Sequence, residues 1–508
     1  MGQENADDIE GITFKILGDF GIWQFKYSIL MSLLKLSMAW YQLSIIFLAP
    51  PQNFWCAQPR SWKGTEKEWR DMCSPKIEEH PCLIFDPDIL ISVPEIDRYQ
   101  IPLVRCKEFV YDTTVFTRTI ISDWGLVCSK HWLVHFTQAM MMWGTVVGGI
   151  VFGVLADKYG RRGPLLAGIV VQCVASYATC VAPGYWTFLI IWFALAVASG
   201  GIGIISFVLC MEIVGGKWRT VIPIVYQLPF GLGSSAMAFL AYFLRDWRHL
   251  EFALATISSS YVVYYSLIDE SPQWLLATGQ AQRAYEILER AARQNKREEY
   301  FEKYKHIIAV SGNKKQKAPR FMALMKTKTT ILLSANWFCT GLSFYTFSQY
   351  LGLIGSNIFL TVSFSGLISI PGGLICIYVI LKVGRKTTVG TFQVVTTACF
   401  IILLVIPKDS SDNDWARLLV AGIGFAGLAG SVPALYLYSG ELFPTRVRNV
   451  GVGGVTTFAR VASMVAPIVV GLDEVMADLP LILLAVISLL QLVMLFPLPE
   501  TRNQLLSN

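Results

Sequence analysis

Charge is scarce in this chain of 508 residues, where Asp, Glu, Lys and Arg make up 15%, against about 25% in soluble domains. So few charged groups cannot dress the surface of a water-soluble protein of this length. Histidine is rarer still, with five residues, and no CxxC pair occurs, so no zinc site is expected. No Walker A loop is present to cradle nucleotide phosphates, which excludes ATP-driven pumping. No catalytic constellation emerges either: the chain does not read as an enzyme, and no cofactor or metal is expected. The first twenty residues are acidic and polar, with neither a basic nor an apolar leader region, so no cleaved signal peptide is expected. The net charge of +6 is spread over short loops, which excludes a nucleic-acid-binding reading.

Apolar residues, by contrast, make up 54% of the chain. They come in long runs, such as 185–209, 415–437 and 479–497. A bilayer core about 30 Å thick needs roughly 20 apolar residues as a helix, and these runs have that length. The runs predict an all-α membrane protein with twelve spanning helices, over 23–48, 133–155, 164–182, 185–208, 218–243, 250–268, 329–350, 354–381, 387–406, 416–437, 449–470 and 478–497. They divide the chain into an N-terminal segment 1–22, a six-helix half 23–268, a central loop 269–328, a second six-helix half 329–497 and a short tail 498–508. Within the central loop, 280–294 has the periodicity of a surface helix.

A polar loop, 51–132, carries Cys56, Cys73, Cys82, Cys106 and Cys128. Such a cluster suits disulfides in an oxidising exterior, with one cysteine left over. Basic residues support the same orientation. One set of alternate loops holds Lys158, Arg161, Arg162, Lys217, Arg219, Lys382, Arg385, Lys386, Arg446 and Arg448, and the opposite set only Arg245, Arg248, Lys408 and Arg417. The richer side is the cytoplasmic one, which places both termini inside and the cysteine loop outside.

The halves repeat each other. Arg161 is matched by Arg385, Glu212 by Glu441 and Glu270 by Glu500, at offsets of 385−161=224, 441−212=229 and 500−270=230. Near-equal offsets imply two halves in parallel orientation, the plan of major facilitator transporters, which hold substrate between the halves near the midplane. Asp157, Arg161, Arg162, Glu212, Arg219, Glu270, Arg385, Glu441, Arg448 and Glu500 thus form candidate gates: Asp157 can pair with a basic residue, a pair between halves holding one gate state, or cap the next helix, while Glu212 is expected with Arg219, and Glu441 with Arg446 and Arg448. Basic loops that merely fix orientation, or solvated charges, would give the same residues.

Arg460 stands near the middle of the apolar run 450–471. Intramembrane charge is costly and faces a cavity or a partner, and a guanidinium can hold a carboxylate or sulfonate bidentately. Lys35 lies inside the first run, where it could bind substrate or snorkel outward. Dense aromatics include Tyr41, Tyr226, Phe230, Trp337, Phe338, Tyr345 and Tyr436. Their faces suit flat organic bodies or cations, though each could equally pack helices.

Several segments resemble the organic cation/anion/carnitine transporter family of the major facilitator superfamily almost end to end. These are Gly18-Asp-Phe-Gly21, Tyr111-Asp-Thr113, Trp124-Gly-Leu-Val-Cys128, Trp132, Glu270-Ser-Pro-Gln-Trp-Leu275, the run from Glu441 to Asn449 that begins Glu-Leu-Phe-Pro-Thr, and Leu498-Pro-Glu-Thr501. The resemblance implies polyspecific transport of small organic ions across the plasma membrane. It also implies a cavity to which Trp337, Phe338 and Tyr345 of the seventh helix, Tyr226 and Gln227 of the fifth, and Arg460 contribute. Arginine at position 460, nineteen residues after Glu441, is similar to the anion and carnitine branches, whereas the cation branch has aspartate. The chain departs from the family in lacking any Asn-x-Ser/Thr sequon and in carrying Gln273 where arginine is usual.

The expectation is alternating-access transport of organic anions or zwitterions, with the lipid bilayer and a small organic ion as partners. No buried carboxylate stands out as a proton relay, so facilitated diffusion or exchange is expected, a counter-substrate or coupling ion being the further partner that exchange or cotransport would need. A cation or biogenic-amine carrier, and a membrane receptor or sensor that kept the fold, stay open.

Overall fold

A computed structural model describes residues 9–59, 62, 64–73, 82–90, 101–216, 218–311, 327–351, 357–406, 415–443, 448–476 and 478–501. Twelve long helical segments run through it. They are α1 (Ile22–Leu48), α2 (Trp132–Tyr159), α3 (Arg162–Cys180), α4 (Tyr185–Ile213), α5 (Leu228–Phe243, preceded by a short helix Trp218–Val225), α6 (Trp247–Ser259), α7 (Lys328–Tyr350), α8 (Ile358–Lys382), α9 (Arg385–Val405), α10 (Trp415–Leu442), α11 (Arg448–Val470) and α12 (Leu479–Leu495). Among the described residues, nine segments are long and apolar enough by themselves to cross a membrane. The remaining three are α6, which breaks into a 3-10 turn at Ser260–Val263, the more polar α7, and α12 at 17 residues. In hydrocarbon no water can bond a stray N–H or C=O, so a helix, which satisfies both internally, is the form these runs must take.

The helices follow the sequence expectation closely and run further at one end. α2, α4 and α10 continue to Tyr159, Ile213 and Leu442, whereas apolar content predicts ends at 155, 208 and 437. Their last turns carry charge. A helix needs apolar side chains only while it faces lipid, so hydropathy underestimates its length beyond that depth.

Packing repeats between the halves. α4 lies against α2 and α3, and α10 against α8 and α9; α1 pairs with α5 as α7 does with α11; α3 packs on α6 as α9 does on α12. The most extensive contacts between the halves among the described residues are α2 with α11 and α5 with α8, and the short helix Trp218–Val225 adds contacts to α8 and α10. Where α5 meets α8, Gly231 and Gly366 face each other and the Ser235 hydroxyl donates to the Ser363 carbonyl (2.9 Å). Small residues let two backbones approach without a greasy seam, which lipid would not reward.

The cysteine-bearing loop is a small folded cap. Strand Phe54–Cys56 pairs antiparallel with Phe109–Tyr111, and Leu83–Phe85 with Leu103–Arg105. Trp69 is buried among Cys56, Ile84, Leu90 and Ile101. Disulfides Cys56–Cys106 and Cys82–Cys128, with Cα–Cα distances of 5.6 and 5.7 Å, staple it. The side chain of Cys73 lies outside the described residues, as do the basic residues Lys217, Lys314, Lys315, Lys317, Lys408 and Arg446 and the side chain of Arg448.

The helix expected on the surface at 280–294 forms as Ala281–Gln294 but docks one face. Ala284, Ile287, Leu288 and Ala291 enter the same core as Ile16, Leu17 and Trp23. Asn295 then ties it to the bundle: its side chain accepts from the Trp23 amide (2.9 Å) and donates to the Leu17 carbonyl (3.1 Å) and to Gln24 Oε1 (2.7 Å).

The closest approach within the N-terminal half is α2 against α4. A Cβ on Gly148 would collide with the Val197 backbone carbonyl, whereas a Cβ on Gly153, one turn further along α2, meets nothing within 4 Å. Overpacking of this kind costs roughly 1–3 kcal/mol. Gly148→Ala is therefore expected to lower the Tm of the detergent-purified protein, and Gly153→Ala to leave it unchanged or raised, as thermal-shift measurements on the two variants would show.

Candidate functional site

Between the halves at mid-height lies a partly open cavity, with about 1200 Å³ of empty space when the solvent at its mouth is included. Helical spacing decides which side chains reach it. Along α7, Trp337, Thr340, Gly341, Phe344 and Tyr345 line the wall, the i, i+3, i+4, i+7, i+8 pattern of one helix face. Along α1 the lining residues are Lys35, Met38 and Gln42, again one stripe. Gln227, Leu228, Phe230 and Gly231 enter at the start of α5, Tyr436 from α10, and Thr456, Ala459, Arg460 and Ser463 from α11.

The same spacing overturns three expectations. Phe338 follows Trp337 by one residue, off the lining face, and packs with Leu342 and Ala462 instead. Tyr41 sits off the Lys35–Gln42 stripe and points into the N-terminal half, fully buried, its hydroxyl bonded to Ser176 Oγ (2.8 Å) and Ser258 Oγ (3.0 Å). Tyr226 stands one layer behind the wall. Its hydroxyl pairs with Ser206 Oγ (2.7 Å), and the Lys35 ammonium lies 4.9 Å from its ring centroid, so it positions a cavity cation without lining the cavity.

Aromatic rings form the rest of the surface. Trp337 meets Tyr436 edge-on at 4.5 Å, its indole N–H donating to Ser439 Oγ (2.9 Å). Phe344, absent from the sequence expectation, contacts Phe230, Tyr345 and Phe425 at 6.0, 5.4 and 5.5 Å. It stands seven residues after Trp337, the spacing that could have found it. Arg460 projects from α11 toward α2, where its guanidinium lies against Gly149; any Cβ there would collide with it. Two basic side chains, Lys35 from one half and Arg460 from the other, therefore face one cavity, and no Asp or Glu is among its lining residues.

The repeated motifs gather at the end of the bundle opposite the cysteine loop. Arg161 pairs with Glu212 (2.8 Å) and Asp157 (2.6 Å). The Glu270 carboxylate accepts the backbone N–H groups of Arg161 (2.7 Å) and Arg162 (3.2 Å), at the N-terminus of α3, while the Arg162 guanidinium donates to the Tyr265 carbonyl (2.8 Å). The second half repeats this arrangement. Arg385 pairs with Glu441 (2.9 Å), and Glu500 accepts from the amides of Arg385 (2.8 Å), Lys386 (3.3 Å) and Thr387 (3.2 Å) at the start of α9. Free amides and the helix dipole favour a carboxylate there. Asp157 pairs with a basic residue as expected, but inside its own half, and Glu212 takes Arg161 in place of Arg219, which donates to the Val214 carbonyl (3.1 Å) and lies 5.0 Å from the Phe14 ring. Leu381 stands where a second Asp157 would be, so the C-terminal network has one carboxylate fewer.

Glu251 is the residue missed altogether. It is completely buried in α6 with neither carboxyl oxygen bonded. A helix expected from residue 250 puts Glu251 at its start, where a carboxylate is ordinary. The helix begins earlier, because the Asp246 side chain caps it by accepting from the Arg248 amide (2.8 Å). Glu251 thus falls on the buried face with Trp247, Leu254, Ala255 and Ser258. Recognising the Asp246 cap would have revealed it.

The model of the sugar (and other) transporter family matches residues 104–508. The chain is similar to the organic cation transporter protein of Drosophila melanogaster, at 29% identity over 96% of this chain and 91% of that one. It is also similar to solute carrier family 22 member 3 of Rattus norvegicus, at 28% over 96% and 92%. Among solved structures, the inward-open xylose transporter XylE from E. coli superposes with a TM-score of 0.62, at 13% identity over 95% of this chain and 98% of that one. Its partially occluded inward-open form gives 0.61, at 12% over 95% and 100%. The chain belongs to the sugar (and other) transporter family: it is a multi-pass membrane transporter of the major facilitator type and not an enzyme.

The Glu500 cradle has a pH signature. Burial alone would raise this carboxyl, but the amides of Thr387, Arg385 and Lys386 outweigh it and hold it below the usual glutamate range. A carboxyl depressed by folding contributes stability that is fully present above its unfolded value and lost as pH falls through its folded value. The Tm deficit of Glu500→Gln relative to wild type is therefore expected to be largest near neutral pH and to shrink toward about pH 3, which thermal melts across that range would show.

Proposed function

We propose that this transporter carries small organic anions or zwitterions across the plasma membrane by alternating access, with the cysteine-bearing loop outside and both termini inside. The observation that carries this reading is the charge of the cavity: Lys35 and Arg460 face it and no carboxylate lines it. An anionic substrate offsets the cost of the Arg460 charge in a low-dielectric wall and favours the protonated form of Lys35 beside it, whereas a cationic one adds to that cost. Arg460 can take a carboxylate or sulfonate through two N–H groups. Trp337, Phe344, Tyr345 and Tyr436, with Phe230, cover the organic body, and Gln227 offers a neutral polar contact. The spread of basic residues in the short loops supports the orientation.

Asp157, Arg161, Arg162, Glu212 and Glu270 in one half, and Arg385, Glu441 and Glu500 in the other, act as latches that keep each half rigid while the halves rock. Retention of both networks favours a moving carrier over a receptor or sensor. The relatives named as organic cation transporters, and aromatic faces that attract cations, favour the competing cation reading. The charge on the wall weighs against it.

Uptake of a labelled organic anion, carnitine and an organic cation into proteoliposomes decides between them. A charge-assisted hydrogen bond contributes about 1.5–3 kcal/mol, or roughly ten- to hundredfold in affinity. Arg460→Ala is expected to reduce anion or zwitterion uptake by that order while the protein stays monodisperse. Cation uptake that survives Arg460→Ala would overturn the anion reading.

A further inference from the structure

We propose that Glu251 is a proton-binding site, and that a proton taken up there from the side of the cysteine-bearing loop crosses with the transported anion. The inference rests on the transport reading for its cargo and on Glu251 alone for its proton.

Both oxygens of Glu251 are inaccessible; the Ser44 hydroxyl of α1 lies beside the carboxyl, but not in the geometry of a good hydrogen bond. Among the described residues no cation forms an ion pair with them. Arg248, one turn earlier on α6, turns its two terminal nitrogens away, donating to the carbonyls of Cys180 (2.6 Å) and Ala182 (3.0 Å) and reaching Asp123 at 3.5 Å, while its Nε is buried without a partner. The groups that face Glu251 from neighbouring helices are neutral: Tyr41 and Ser44 of α1, and the Cys180 thiol of α3. Tyr242 of α5 turns instead to Phe359. A bare carboxylate in such surroundings costs several kcal/mol, whereas the neutral acid needs only hydrogen bonds. The carboxyl accordingly holds its proton in this conformation.

Two features give that proton a way in and out. Toward the loop, Asp123 accepts from the Trp247 indole (3.1 Å) and meets Arg248, so polar groups reach within one helical turn of Glu251. On the α1 side, inside the N-terminal half, the Tyr41 hydroxyl joins Ser176 of α3 and Ser258 of α6. The next residue, Gln42, lines the cavity, and its carbonyl accepts from Gln138 Nε2 (3.1 Å), whose own Oε1 is buried and unbonded. A movement of α1 against α6 is enough to bring Glu251 into this hydroxyl and amide series. The step is an acid–base exchange: the carboxylate gains one proton on one side and releases it on the other. With a monovalent anion the cycle carries no net charge.

Two measurements test this. In proteoliposomes given a labelled aromatic monocarboxylate outside, an acid-outside gradient is expected to raise the initial uptake rate of wild type several-fold over that of protein-free vesicles. Glu251→Gln, isosteric and uncharged, is expected to keep anion exchange at equal pH and to lose the response to the gradient. Wild type that ignores the gradient, or Glu251→Gln that still follows it, would overturn the proposal. Independently of any substrate, infrared spectra of the purified protein at neutral pH are expected to show a protonated-carboxyl C=O band that is missing in Glu251→Gln. Absence of the band from wild type overturns the proton site. Absence of anion uptake with the band present overturns the cargo alone.

Discussion

The lipid interior supplies neither hydrogen bonds nor counter-ions, and that single constraint shapes the whole molecule. It forces the backbone into helices, and it sends polar side chains back onto those helices. Thr137 and Thr145 donate to carbonyls four residues earlier, Ser32 and Ser37 to carbonyls three earlier. It confines ion pairs to the helix ends, where Arg161 and Arg385 meet their glutamates. Against this background the few charges left inside, Lys35, Arg460 and Glu251, stand apart.

The ion-pair networks fit the movement proposed for the two halves. Each binds helix ends within one half: Glu270 links the region after α6 to the start of α3, and Glu500 links the tail after α12 to the start of α9. None of these pairs crosses to the other half, so rocking need not break them. What crosses is weaker and smoother, with Gly231 facing Gly366 and Gly149 lying under Arg460. At the cysteine-bearing end, Phe359 of α8 stacks on Phe47 and touches Phe116 and Tyr242. These contacts can slide or part without stranding a charge in lipid, whereas a buried ion pair across the halves would leave two unpaired ions each time it opened.

Much of this was legible in the residues. Apolar runs marked twelve helices to within a few positions, because a bilayer sets their length. The offsets between Arg161 and Arg385, and between Glu270 and Glu500, revealed two halves, and the structure places those residues in matching cradles. Four of the five loop cysteines pair as disulfides, though spacing alone could not say which with which. The cavity was legible only in part. Hydropathy fixes that a helix exists but says little about which way it is turned. Tyr41 and Lys35, six residues apart, therefore looked alike in sequence and face different interiors. Glu251 was hidden by a three-residue error in where α6 begins, enough to move a carboxylate from the membrane surface into the core.

The separation of Glu251 from the cavity has a physical rationale of its own. A carboxylate on the cavity wall would pair with Arg460 or Lys35, cancel the charge that attracts an anion, and compete with the substrate for the guanidinium. Set behind α1, a residue that titrates adds no carboxylate to the wall that Lys35 and Arg460 line. The two charge systems then communicate only through α1, which carries Lys35 and Gln42 on its cavity face and Tyr41 and Ser44 on its inner one. An anion drawn toward Lys35 pulls on the same helix whose other face determines whether Glu251 has a hydrogen-bond partner. One helix turned between two faces is thus sufficient to link anion occupancy to proton occupancy, without any charged residue crossing the dry interior between them.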